Sequence, residues 1–126
     1  MENTQANPIR IGVVGYGNLG RGVEAAVALN PDLQITGIYT RRDPAQLKPA
    51  HAQTPVYRLD DLDAHHGQVD VLILCGGSKD DLPVQTPALA AKFNVIDSFD
   101  THARIPEHFA AVDAALALDA HARQAD

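Results

Sequence analysis

Apolar residues recur along this chain in two alternating rhythms. Ile9 to Val14 is a short β-branched run broken only by Arg10 and Gly12, which predicts a strand. The run stops at a glycine cluster, Gly15 to Gly20. From Asn18 to Leu29, Leu19, Val23, Ala26 and Val27 return at three- and four-residue spacing, which predicts a helix. Asn30-Pro31-Asp32 ends it, because proline cannot continue a helix and asparagine accepts a turn. Leu33 to Tyr39 reads as a second strand. Strand, tight turn, helix and strand make a βαβ unit, whose crossover is expected to be right-handed.

The alternation continues. Arg42 to Thr54 is proline-punctuated and reads mostly as loop, with room for one helical turn; Val56-Tyr57 is a short strand and Leu59 to His65 a short helix. Asp60, Asp61 and Asp63 fall in the early turns of that helix, where its dipole favours them. Val69 to Leu74 is apolar on both faces, as a buried parallel strand requires. A helix is predicted from Asp81 to Phe93, with Pro83 in its first turn and Pro87 deep enough to be an alternative start. Val95 to Ser98 is another strand, and a last helix after Pro106 carries an apolar stripe of Phe109, Val112 and Leu116. This order predicts an α/β, Rossmann-like, doubly wound parallel sheet forming a single domain over residues 1–126. A dinucleotide-binding fold usually runs to a sixth strand and a dehydrogenase adds a substrate domain, so the chain reads as one part of a longer design.

Composition narrows the partners. The chain has 126 residues, 45% of them hydrophobic, enough for one packed core. Its net charge of −6 argues against nucleic acid, which needs a basic face. No apolar run approaches the roughly 20 residues of a membrane span. Met1 to Pro8 lacks the charged-then-apolar layout of a secretory signal. One cysteine, Cys75, makes no internal disulfide and suits a reducing compartment, so a cytoplasmic location is expected.

The glycine cluster carries the first chemistry. Gly15-x-Gly17-x-x-Gly20 follows a strand and opens a helix, the context in which this spacing binds a dinucleotide. The first glycine permits the turn, the second lets backbone approach a pyrophosphate, and the third lets helix and strand pack closely. The phosphates would then meet the N–H groups of the helix N-terminus. At the end of the second strand an NAD site usually places an acidic residue, but here stand Thr40, Arg41 and Arg42. Two guanidiniums suit a 2′-phosphate, so the predicted cofactor is NADP.

Two further segments reach the same sheet edge. Cys75-Gly76-Gly77-Ser78 ends the strand Val69 to Leu74; its glycines admit a cofactor close to the backbone, and Ser78 can donate to phosphate or ribose. Cys75 itself reads as a small buried hydrophobe rather than a nucleophile. In Asp97-Ser98-Phe99-Asp100-Thr101-His102 a carboxylate can receive a cationic amino group, or the same residues can serve as turn and capping groups. The histidines show no ligand spacing: His65 and His66 are adjacent and point apart, and His51, His108 and His121 stand alone. No metal site is expected.

Taken together, Arg10 to Arg21, Tyr39 to Arg42, Val69 to Ser78 and Val95 to His108 resemble meso-diaminopimelate dehydrogenase, over nearly the whole chain to about Ala115. The resemblance is to the N-terminal, dinucleotide-binding part of that family. It implies NADP-dependent oxidative deamination of the D-centre of meso-2,6-diaminopimelate to L-2-amino-6-oxopimelate and ammonia, in lysine biosynthesis. By position it implies that Gly15, Tyr16, Gly17, Asn18, Leu19 and Gly20, with Thr40, Arg41 and Arg42, hold the cofactor's phosphates. It places Cys75, Gly76, Gly77, Ser78, Ser98 and Phe99 along ribose and nicotinamide, and Asp100 on the reacting amino group. It further implies a homodimer in the full-length family. The family's Trp-Asp segment and substrate domain have no counterpart here, some relatives carry an aspartate near Arg104, and residues after Leu116 fit poorly. The chain alone is therefore expected to lack turnover. Two other readings stand beside this one: a stand-alone NADP(H)-binding module, and another NADP reductase such as a dihydrodipicolinate reductase, against which the Asp97 to His102 segment weighs.

Overall fold

In the computed structural model, which describes residues 7–77 and 79–125, five parallel strands form one sheet in the order β3-β2-β1-β4-β5. They are β1 (Ile9–Val14), β2 (Leu33–Thr40), β3 (Val56–Arg58), β4 (Val71–Leu74) and β5 (Val95–Asp97). Three helices accompany them: α1 (Asn18–Ala28), α2 (Leu82–Ala90) and α3 (Ile105–Ala125). β1 lies between β2 and β4, so the chain leaves it in one direction and later returns to its other side. That is the switch point at which open α/β sheets bind ligands.

Alternation along the strands divides the core into two layers. Ile11 and Val13 of β1 join Val27 of α1 and Ile38 of β2 on one face. Val14 and Tyr39 join Leu72, Leu74, Leu82 and Phe93 on the other. The β1–β2 ladder contains one slip: Ile11 pairs with Ile35, but Gly12 pairs with Gly37. Thr36 is the extra residue, and its hydroxyl donates to the Ile11 carbonyl at 3.4 Å.

Several elements differ from expectation. The buried face of α1 is Gly20, Glu24 and Val27, whereas Leu19 is 47% exposed and Ala26 also faces solvent. Residues 59–68 form a 3₁₀ helix anchored by Leu62, its one buried residue, and not a short α-helix. β4 starts at Val71, because Asp70 turns aside to receive the Arg10 backbone N–H at 2.8 Å and its guanidinium at 2.9 Å. These bonds hold the Asp70 carboxyl down to about 2. α2 begins at Leu82, with Pro87 inside it and not at its start. β5 ends at Asp97, one residue early, and α3 starts at Ile105, ahead of Pro106. The expected stripe of α3 is largely uncovered, with Phe109 69% and Leu116 47% exposed. Among the described residues no helix is long and apolar enough to cross a membrane.

Candidate cofactor-binding site

The carboxyl ends of β1, β2, β4 and β5 gather the residues singled out above. After Val14 the chain turns through Gly15, whose φ of +89° is one that side-chain-bearing residues rarely adopt. Its N–H donates to the Tyr39 carbonyl at 2.9 Å, which ties the turn to β2. A Cβ at Gly20 would stand 2.5 Å from the Gly15 carbonyl oxygen, so turn and helix approach too closely for any side chain there. A Cβ at Gly17 would meet nothing within 4 Å; that face of the turn is open. α1 starts at Asn18 without a side-chain cap or an acidic residue in its first turn. Its first N–H groups therefore point at space that suits an anion. Asn18 and Leu19 are exposed at this opening.

Tyr16 behaves differently. Its side chain is turned inward and buried, donating to the Glu24 carboxylate and accepting the Ala50 N–H at 2.8 Å. Glu24, also buried, accepts further from the N–H groups of Ala50 and His51, both at 3.1 Å, and from the Thr54 hydroxyl at 2.9 Å. Burial pushes the Glu24 carboxyl up, but the hydrogen bonds from Tyr16, Thr54, His51 and Ala50 outweigh it and leave it below the ordinary value.

The two arginines after β2 part company. Thr40 is buried, and its hydroxyl accepts the Arg42 N–H at 3.0 Å. The Arg42 guanidinium donates to the Tyr16 carbonyl at 2.8 Å, so it is seated against the glycine turn itself. Arg41 reaches across to Asp81, with 2.7 Å between Nη2 and Oδ1.

At the end of β4 the Cys75 N–H donates to Val14 at 2.8 Å, and burial pushes its thiol up to about 11. A thiol held protonated is a poor nucleophile at neutral pH. Gly77 donates its N–H to Asp81 at 3.0 Å. Beside Gly76 lies Gln85 Oε1, a buried acceptor without a partner among the described residues. Ser78 lies outside the described residues.

At the end of β5 the Ser98 hydroxyl donates to the Leu74 carbonyl at 3.1 Å. Asp97 is bound on three sides: by the Thr86 hydroxyl at 2.9 Å, His108 Nε2 at 2.6 Å and the Phe99 N–H at 3.3 Å. Burial raises its pKa, and the bonds from His108, Thr86 and Phe99 more than reverse that. The Phe99 and His108 rings stack with centroids 4.0 Å apart and planes within 5°. They form a wall shared by two cavities of about 430 and 300 Å³, the larger also lined by Lys79, Thr101 and Arg104. Asp100 is exposed. His108 therefore does not stand alone, as its sequence position implied. Among the described residues no three of His, Cys, Asp and Glu converge as a metal site.

These groups suit a dinucleotide: an uncapped helix start, an open glycine and two guanidiniums for anionic groups, and at the neighbouring turn an acceptor unpartnered among the described residues. No family model matches the chain. A curated protein of Lysinibacillus sphaericus is 57% identical over 107 residues, which are 85% of this chain and 32% of that protein. The chain resembles the N-terminal third of meso-diaminopimelate D-dehydrogenase. The relative from Ureibacillus thermosphaericus is 56% identical over the same share of the chain, and this chain spans about a third of the length of both. The solved structure of the C. glutamicum diaminopimelate dehydrogenase in complex with DAP superposes with a TM-score of 0.76 at 42% identity, over 85% of this chain and 32% of that one. An engineered D-amino acid dehydrogenase bound to NADP+ gives 0.77 at 41%, over 86% and 33%. The Rossmann-like architecture is common to all of them.

Three residues of this site in the meso-diaminopimelate dehydrogenase-like chain escape a sequence reading: Glu24, Asp81 and His108. Glu24 alone had a signal, a carboxylate one helical turn from Gly20 and Val27 on the face that packs. Asp81 and His108 meet partners 40 and 11 residues away, and no spacing announces either pair.

Proposed function

We propose that this chain is the NADP(H)-binding part of an oxidoreductase that deaminates the D-centre of meso-2,6-diaminopimelate to L-2-amino-6-oxopimelate and ammonia. One observation carries the reading. The glycine turn, the arginine pair and the Asp97–Asp100 segment lie on one edge of the sheet in a chain 57% identical to a dehydrogenase of that substrate. The cofactor, when bound, supplies the hydride acceptor. The chain's own residues hold and orient. Gly17, Asn18 and Leu19 present backbone N–H groups to the pyrophosphate, and Arg41 and Arg42 take the 2′-phosphate. Gly76, Gly77 and Ser78, with Ser98 and Phe99, line the ribose and nicotinamide. Asp100 receives the ammonium of the reacting centre.

One carboxylate cannot fix a flexible dicarboxylic diamine within the ~3–3.5 Å that hydride transfer needs. The contacts that tell the D- from the L-centre are expected from residues that the relatives carry beyond the matched third. The 126-residue chain is therefore expected to bind NADP+ without oxidising meso-diaminopimelate. The test follows reduced cofactor by absorbance with purified chain, NADP+ and substrate, beside calorimetric binding of NADP+. Binding without turnover is the expected result. Turnover lost on Asp100→Asn would show instead that these residues suffice, and absence of NADP+ binding would overturn the assignment.

A further inference from the structure

The residue ending β2 usually sorts the two nicotinamide dinucleotides: a carboxylate there suits the bare ribose of NAD, and cations suit the 2′-phosphate. β2 ends at Thr40 and cations follow it, yet another element sets a carboxylate against one of them. Asp81, the residue before α2, brings Oδ1 to 2.7 Å from Arg41 Nη2 while Oδ2 accepts the Gly77 N–H at 3.0 Å. The carboxylate is built into its turn. A Cβ on Gly76 would stand 2.8 Å from Asp81 Cβ, so the acid leans in only because position 76 is glycine. The side chains are 25% exposed for Asp81 and 67% for Arg41. The acid is the anchored partner, and the guanidinium is the one with room to swing.

We propose that Asp81 is a specificity-determining residue of the cofactor site, its charge competing with the 2′-phosphate for Arg41 and so restraining the preference for NADP over NAD. The proposal rests on the NADP assignment above. A 2′-phosphate seated on Arg41 must draw the guanidinium from Asp81 or lie beside a like charge, and either weakens binding. NAD, with a hydroxyl at that position, meets neither penalty. Arg42 is bound to Tyr16 and does not share the competition.

The test is calorimetric titration of NADP+ and NAD+ into the unmodified chain, Asp81→Asn, Arg41→Ala and the double variant. Asn keeps the size of the side chain and an acceptor for the Gly77 N–H while removing the charge. Asp81→Asn is expected to tighten NADP+ roughly threefold at low salt, the scale of an exposed ion pair, with the gain shrinking as salt rises. NAD+ affinity should not move, and the gain should vanish on the Arg41→Ala background. Unchanged or weaker NADP+ binding in Asp81→Asn would overturn the proposal. If that variant proves unfolded, Asp81→Ser keeps a small polar oxygen at that position without the charge and must give the same gain. Failure of the unmodified chain to bind either dinucleotide would sink the NADP assignment and this proposal with it, an outcome distinct from binding that ignores Asp81.

Discussion

Tyr16 and Glu24, eight residues apart, are buried against each other, with the phenol donating to the carboxylate. The pair joins the glycine turn to residues 50–54, because Glu24 also holds Ala50, His51 and Thr54. Glu24→Gln would leave several of these donors facing an amide that accepts through one oxygen only. The expected cost is about 1–3 kcal/mol in urea denaturation at pH 7. The folded pKa lies below the ordinary 4.5, so the ionised group stabilises the fold above that pH and the gain is lost as pH falls through the folded value. The difference between variant and unmodified chain should therefore shrink in acid. A difference equally large at pH 3 and pH 7 would refute this.

Changing Arg41 and Arg42 together to Ala is expected to weaken NADP+ binding by about 2–4 kcal/mol, since two charged hydrogen-bonding groups are lost. The single variants should differ. Arg41→Ala removes a cation that pairs with Asp81 and should leave NAD+ untouched. Arg42→Ala also removes a bond to the Tyr16 carbonyl and should loosen the turn enough to weaken NAD+ modestly. Equal NAD+ affinity in both single variants would show that Arg42 does not brace the turn.

Gly20→Ala places a methyl 2.5 Å from a backbone oxygen that has no flexible end to yield. We expect about 1–3 kcal/mol of destabilisation, the range of overpacking, together with loss of dinucleotide binding as the turn opens. Gly17→Ala, whose Cβ meets nothing, should leave the melting temperature near that of the unmodified chain and impair binding alone. Thermal melts beside titrations separate the two effects.

Asp97 ties β5 to α2 through Thr86 and to α3 through His108. Asp97→Ala strands a hydroxyl and an imidazole and is expected to cost about 2–3 kcal/mol. Hydrogen exchange should quicken in residues 105–112 well before it does in β1. Uniform exchange across the chain would mean that the carboxylate does not hold α3.

The sheet was legible because its strands carry β-branched runs between turn residues and its first turn carries glycines at fixed offsets. The glycine offsets also pointed to the candidate site: Gly15 and Gly20 answer local geometric demands, and Gly17 leaves the turn open. Polar partners stayed hidden. Glu24, Asp81 and His108 earn their places from neighbours that only the folded chain supplies, and no period in the sequence encodes such pairs. The buried face of α1 departs from its apolar period for a related reason. Leu19 and Ala26 fit the helical period, but the position facing the sheet next to Gly15 admits only Gly20, and that rotates the buried face onto Glu24. Residues 59–68 lack the apolar stripe of a full α-helix, and Leu62 is the residue the tighter winding buries.

Thr36 changes the parity of β2. Leu33 and Ile35 pack on one layer, and strict alternation would give Gly37 and Tyr39 to that layer too; instead it receives Ile38, while Tyr39 joins the opposite layer. The inserted residue acts as a half-step in the strand's two-beat count. Everything beyond it, including the two arginines, stands one residue, about 3.3 Å, short of where an unbroken ladder would carry it. The length of β2 up to that slip thus gauges how far Arg41 and Arg42 stand from the glycine turn. A substitution at position 36 would keep that gauge, and a deletion within β2 would reset it.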